Sequence, residues 1–451
     1  MLQGKTALIT GSTSGIGLGI AEALAAQREL EARAVARGVD AALAVAPRRE
    51  QPFRLVEADG ARRDVEFPGQ FADGVLRVRA FLFDLLHGRV RLILAQVLRV
   101  SSLEFPFSDA PAPGTAREVA PGVHWLRMAL PFALDHINLW LLEDEGGWTM
   151  VDTGLGDAPT RALWERVFAG VLGGKPVKRV LVTHYHPDHA GNAGWLCARF
   201  GAPLWMTQAE YLTAHAVREG VAGYVPGATL ALFRANGLDE ERFALMAGRG
   251  NIYLRQVPEF PDSYRRIMDG EGIAVGGRRW RVIAGYGHAP EHASLHCEVL
   301  GLAISGDMLL PRISTNVSVW PVDPEGDPLG QFLQSIRRYR ELAPQTLVLP
   351  SHGLPFRGAH LRVAQLEEHH AERLGELMQA CAEAPRCAAE VLEVLFRRKL
   401  DTHQMFFAMG EAIAHLHYLE RAGRLRRAVG ADGVARFAPA KEEAWQSPVT
   451  A

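Results

Sequence analysis

Residues 184–189 read HYHPDH, three histidines and an aspartate within six positions. A lone histidine is most often structural, but four such groups this close together are a metal-binding arrangement. His184 and His186 are two apart and can meet one ion side by side. Asp188 and His189 are displaced around the turn and can reach a second. Imidazole nitrogens with a carboxylate suit Zn²⁺, Fe or Mn rather than Ca²⁺ or Mg²⁺. A second stretch, TGSTSGIG at residues 10–17, points to other chemistry. Its glycines let backbone amides approach a pyrophosphate at a helix N-terminus. The two stretches imply different reactions.

Each stretch needs elements to hold it. VLVT, a buried-strand run, leads into His184, and GWLCARFG after Gly191 reads as a helix. The four metal-type residues therefore sit on a loop at a strand's C-terminal end, where side chains converge. VHWLRMALP and INLWLLEDEGGWTMVDTG read as further strands with turns between them. At the other end of the chain, KTALIT reads as a strand, and LGIAEALAAQ after the glycines reads as a helix.

HxHxDH is the signature of the metallo-β-lactamase superfamily, and residues 115–360 resemble that family in motif order and spacing. Asp152 in VDTG resembles the aspartate that supports the metal loop from behind. His288 in GHAPEH, Asp307 in ISGD and His352 in LVLPSHG resemble the family's later ligands. The resemblance implies that His184, His186 and His288 hold one metal, that Asp188, His189 and His352 hold another, and that Asp307 bridges them. It also implies an α+β, four-layer αββα metallo-β-lactamase fold. Two divalent transition metals, zinc first with Fe or Mn as alternatives, would share a water and lower its pKa toward neutrality. The resulting hydroxide would attack an acyl centre, with Asp188 and Asp307 as the catalytic carboxylates and Asp188 able to shuttle a proton. No GxSxG is present, so a serine nucleophile is not expected. His292 and His296, close to the third motif, are expected in supporting roles. His136 in DHIN is a candidate for the rim of the site.

The first 27 residues resemble the start of short-chain dehydrogenases, in particular 3-hydroxybutyrate dehydrogenases. That pattern then stops. None of the eight tyrosines is followed four residues later by the lysine that family uses. Residues 28–102 contain no lysine and no sustained strand–helix alternation, and a full dinucleotide fold would occupy most of the chain. The expected plan is a truncated strand–turn–helix at 1–27, a linker or poorly ordered segment at 28–103, a catalytic domain at 104–360 and a winged-helix-like, mainly helical domain at 361–440.

The composition is that of an ordinary globular protein, 48% hydrophobic with a net charge of −2. That excludes a general basic coat for nucleic acid. The four cysteines lack zinc-knuckle spacing, and no signal peptide or membrane span is readable, so a cytoplasmic location is expected. Residues 207–270 read as helices whose Tyr211, Tyr224, Phe233 and Phe243 either line an apolar pocket or pack the core. The loop PRISTNVSVWP after Asp307 places Arg312, Ser314 and Asn316 as candidates to hold a polar group on the substrate. Beyond residue 361, three helices and a hairpin with a GADG turn are expected, with Gly423 ending the last helix. The leading expectation is hydrolysis of a small ester, thioester or lactone, the partner being a small-molecule acyl substrate. Arg424, Arg426 and Arg427 on the tail keep a metal-dependent ribonuclease as the alternative. An NAD-dependent 3-hydroxybutyrate dehydrogenase is a remote third.

Overall fold

The computed structural model describes residues 7–10, 41–44, 54–56, 62–64, 102–132, 134–248 and 250–440. The chain forms two compact units, residues 1–102 and 103–451. In the first, β1 (Ala7–Thr10), β2 (Ala41–Ala44), β3 (Arg54–Val56) and β4 (Arg62–Asp64) pair in the order β2-β1-β3-β4. The strand expected before the first glycine turn is thus present. The turn after Thr10 and its helix lie outside the described residues. Three short strands fall in 28–103, the span expected as a linker or poorly ordered segment. Runs of three or four residues are too short to display a period in sequence, but they can pair beside β1.

In the second unit a seven-stranded sheet runs in the order β11-β10-β9-β8-β7-β6-β5. Its strands are β5 (Ala116–Ala120), β6 (Val123–Ala129), β7 (His136–Asp144), β8 (Gly147–Val151), β9 (Val177–Leu181), β10 (Leu204–Met206) and β11 (Arg265–Arg266). A six-stranded sheet follows the sequence order, with β12 (Gly272–Val275), β13 (Arg278–Gly285), β14 (His292–Cys297), β15 (Leu302–Gly306), β16 (Leu347–Pro350) and β17 (Phe356–Arg357).

The period-2 pattern of these strands explains the layers. On β6 and β7, Val123, Trp125, Trp140 and Leu142 face the second sheet and meet Trp280, Val282, Leu295 and Ile304. The alternate residues Leu126, Met128, Ile137, Leu139 and Leu141 face outward. There they pack under α1 (Ala158–Gly170), α2 (Pro187–Ala190), α3 (Ala193–Phe200) and α4 (Gln208–Glu219). Because both faces are covered, strands such as GWTMV are buried at every position. Three further helices follow in the segment between β10 and β11: α5 (Pro226–Ala235), α6 (Glu240–Ala247) and α7 (Ile252–Gln256). Tyr211 and Phe233 are buried in the two outer cores, so these aromatics pack helices rather than line a pocket.

The outer face of the second sheet carries α8 (Pro328–Arg337) and α9 (Ala359–Glu383), then a short turn of helix α10 (Leu392–Leu395) and α11 (Thr402–Arg421). The result is helix, sheet, sheet, helix, as expected. Asp401 caps α11 in a reciprocal box with Gln404. The middle C-terminal helix is shorter than its sequence suggested. Phe396 leaves helical geometry at φ −120 and ψ 96 and packs on the core, ahead of the charged Arg397, Arg398 and Lys399. The hairpin is present as β18 (Leu425–Val429) and β19 (Ala435–Pro439). One continuous apolar cluster joins α8, α9, α11 and this hairpin to the second sheet. Among the described residues no helix is long and apolar enough to cross a membrane.

Asn138 ties the two sheets together where they are otherwise apolar. Its Oδ1 accepts from Trp125 Nε1 at 2.8 Å and Arg127 Nε at 3.2 Å. Its Nδ2 donates to the carbonyls of Pro350 at 2.8 Å and Gly353 at 2.9 Å, on the opposite sheet's β16 end. Replacing Asn138 by alanine strips Trp125 Nε1 and the Pro350 carbonyl of this partner and should cost about 3 kcal/mol in chemical denaturation. A variant as stable as the parent would refute the clasp.

Candidate metal centre

Five strand ends meet at one edge of the sandwich. β8 delivers Asp152, β9 delivers Thr183 and His184, β13 leads to His288, β15 to Asp307 and β16 to His352. β8 and β9 are parallel, as are β15 and β16, so their C-terminal ends point the same way. The seven expected metal residues come together there.

The loop after β9 is held from behind. Asp152 sits in the left-handed region at φ 62, a conformation costly for a residue with a Cβ. From it, Oδ1 accepts from Thr183 N at 2.8 Å, and Oδ2 meets His189 Nδ1 at 2.9 Å. Thr153 N and Oγ1 both donate to the His189 carbonyl, at 2.8 and 2.6 Å. Helix α2, which carries Asp188 and His189, is a single turn, and the His189 ring lies 4.0 Å from the His184 ring, centroid to centroid. Gly191 lies so close to the Asp152 loop that a Cβ there would fall 2.3 Å from Gly156 N, which only glycine avoids.

The ligand-type atoms form two groups, each within 4.8 Å of one another. In the first, His184 Nε2 lies 2.9 Å from His186 Nδ1 and 3.2 Å from His288 Nε2. In the second, His352 Nε2 lies 3.5 Å from Asp188 Oδ2, and His189 Nε2 lies 3.8 Å from the same oxygen. Asp307 spans both: Oδ2 is 3.4 Å from His288 Nε2, and Oδ1 is 3.5 Å from both His189 Nε2 and His352 Nε2.

This arrangement fits a bound cation. His288 Nδ1 points at the Asn316 carbonyl and His352 Nδ1 at the His136 carbonyl, each at 2.8 Å. A carbonyl only accepts, so each of these ring nitrogens carries the proton, and the Nε2 lone pairs face inward. His189 Nε2 and Asp307 Oδ1 are buried with no hydrogen-bond partner, although such atoms are normally paired. Burial and mutual repulsion drive His184 and His186 well below the usual histidine range, which leaves them neutral and able to donate lone pairs. For His189 and His352, burial opposes the proton but neighbouring carboxylates outweigh it, raising both. Burial would raise Asp307, yet His352 and His189 hold it well below the ordinary carboxylate range.

Several contributors left little trace in the sequence. Glu210 is fully buried and accepts from Tyr185 N at 2.9 Å and Glu291 N at 2.6 Å, joining the HYHPDH and GHAPEH loops. Burial pushes its carboxyl up to about 8. The available signal was its place beside Tyr211, and four before Ala214, on the buried face of α4. His136 reaches the site through its carbonyl and through Nε2, which accepts from Gly353 N at 2.8 Å. His292 is a supporting residue: its Nε2 accepts from Asp307 N at 3.2 Å, and a Cβ on Gly306 would come within 2.3 Å of it. Of the loop residues after Asp307, Asn316 turns its amide to Glu411 at 3.0 Å. Arg312 lies over the Phe105 ring at 6.0 Å, and Ser314 is half-buried.

Comparison with known proteins agrees with this geometry. Residues 133–352 match the Metallo-beta-lactamase superfamily, and residues 374–440 match the Metallo-beta-lactamase-like, C-terminal domain. A beta-lactamase domain protein from Burkholderia ambifaria is 50% identical, with a TM-score of 0.71, covering 75% of this chain and 98% of its own. The probable metallo-hydrolase YqjP of Bacillus subtilis is 26% identical over 308 residues, 65% of this chain and 91% of that protein. The D-beta-hydroxybutyrate dehydrogenase of Cupriavidus necator is 89% identical over 27 residues, only 6% of this chain and 10% of that enzyme.

Replacing Asp307 by alanine removes the one group that faces both clusters. Bound metal per chain, measured by elemental analysis after purification, should fall. Parental metal content in that variant would contradict the arrangement.

Proposed function

The chain belongs to the metallo-β-lactamase superfamily and is a metallo-hydrolase; from that premise we propose that it is a dinuclear enzyme cleaving a small ester, thioester or lactone. The observation that carries the reading is Asp307, with one oxygen toward each group of imidazoles. His184, His186 and His288 would hold one ion, and Asp188, His189 and His352 the other, with Asp307 between them. Two divalent ions held there, zinc being favoured by the imidazole-rich set, would supply Lewis acidity toward a carbonyl oxygen and lower the pKa of a water toward neutrality.

The protein's own groups do the rest. Asp188 is the more open of the two carboxylates, its side chain 21% exposed against 10% for Asp307. That greater exposure supports a role for it in taking a proton from an attacking water and passing it toward the leaving group. The carbonyls of Asn316 and His136 and the Asp152 carboxylate keep three rings oriented, so no reorganisation is needed during the reaction. Arg312 and Ser314, on the loop leaving Asp307, would meet the polar end of the substrate. An acyl substrate is favoured over RNA because Arg427, one of the three tail arginines, is already paired with Glu325 and with Glu420 at 3.2 Å.

Chelator-stripped protein should lose hydrolysis and regain it with Zn²⁺. In a panel of ester, thioester, lactone and RNA substrates, the acyl compounds should be turned over. Cleavage of RNA alone would overturn the assignment in favour of a ribonuclease. Replacing Arg312 by alanine should raise KM for the best acyl substrate with little change in kcat, and an unchanged KM would remove Arg312 from the site.

A further inference from the structure

Helix α11 belongs to the C-terminal region, yet it touches the metal end of the sandwich at two points. His403, in its first turn, stacks on Phe132 with centroids 5.1 Å apart and planes at 14°. Two turns later, Glu411 Oε2 accepts a hydrogen bond from Asn316 Nδ2 at 3.0 Å. His403, Phe407 and Glu411 are four residues apart and share one face. Phe132 lies on the loop leading to His136, whose carbonyl orients His352. Asn316 supplies the carbonyl that orients His288.

Asn316 is constrained on every side. Its Oδ1 accepts from Ser318 Oγ at 2.8 Å. Ser318 in turn packs on Gly410, where a Cβ would come within 2.7 Å, and Val319 N donates to the Gly410 carbonyl at 3.2 Å. The amide has one good acceptor, Glu411; the Phe407 carbonyl at 3.5 Å is at the limit of a hydrogen bond. Removing Glu411 would leave that amide without its main partner and loosen the hold on Asn316. The hydrogen bond that selects the His288 tautomer then weakens.

We propose that Glu411 is a positioning residue for His288, acting through Asn316, so that α11 is part of the metal centre's support. The proposal rests on the reading of His288 as a metal ligand. A purely structural Glu411 would staple α11 to the loop, and its loss would lower stability without touching metal affinity.

Zinc affinities of the full chain, resolved into two ions by chelator competition, separate these roles. Glu411→Ala should weaken one ion about tenfold and leave the other unchanged, the size expected for disturbing an outer hydrogen bond to a ligand. Glu411→Gln keeps an acceptor and should restore parental affinity. Asn316→Ala should reproduce the selective loss, and it serves if Glu411→Ala does not fold. Leu419→Ala, buried farther along α11, should lower stability and leave both affinities intact. Two parental affinities in Glu411→Ala, or a Gln variant as weak as the Ala variant, would overturn the role of Glu411 alone. A parent chain that binds no zinc would overturn the metal reading itself, and this inference with it.

Discussion

A buried carboxylate between two sets of imidazole nitrogens governs this structure. Asp307 is nearly closed to solvent, with one oxygen toward each set. Burying an anion is expensive unless positive charge accompanies it. Partly raised histidines offset some of that cost, but His184 and His186 are driven neutral by their burial. Ring nitrogens converge at 2.9 and 3.2 Å, an arrangement of donors that suits a cation among them.

The sandwich exists to hold that convergence steady. Parallel strand pairs bring Asp152 beside Thr183 and Asp307 beside His352, and a two-sided apolar core fixes their register. Backbone carbonyls at Asn316 and His136 set the tautomers of two rings, while Glu210 clamps the amides of two loops. These contacts come from elements far apart in sequence, including the C-terminal helix. The continuous cluster on the outer face of the second sheet makes that helix part of the same packed body as the strands.

Of the seven candidate ligand positions, the HYHPDH group was legible from residue types and spacing, and His288, Asp307 and His352 from motifs that resemble those of the family. The four layers were legible through the family resemblance, while the strand and helix patterns marked individual elements. The supports were not. A carbonyl that orients a ring carries no side-chain signature, so Asn316 and His136 showed their amide and imidazole rather than the atoms that act. Asn316, read as a substrate contact, turns its amide to Glu411 instead. Glu210 stands in the first turn of α4, where an acid is common, and nothing in its local sequence marks its full burial. Tyr211 and Phe233 are core residues, an outcome that depends on which way α4 and α5 roll. TGSTSGIG resembles a dinucleotide-binding turn in sequence, yet the likeness behind it covers 27 residues. The chemistry of the chain lies with HYHPDH.

The most direct measurement is anomalous diffraction at the zinc edge from crystals of the reconstituted protein. Two peaks should appear, one among His184, His186 and His288 and the other among Asp188, His189 and His352, with Asp307 between them. A single peak, or peaks away from Asp307, would contradict a bridged dinuclear centre.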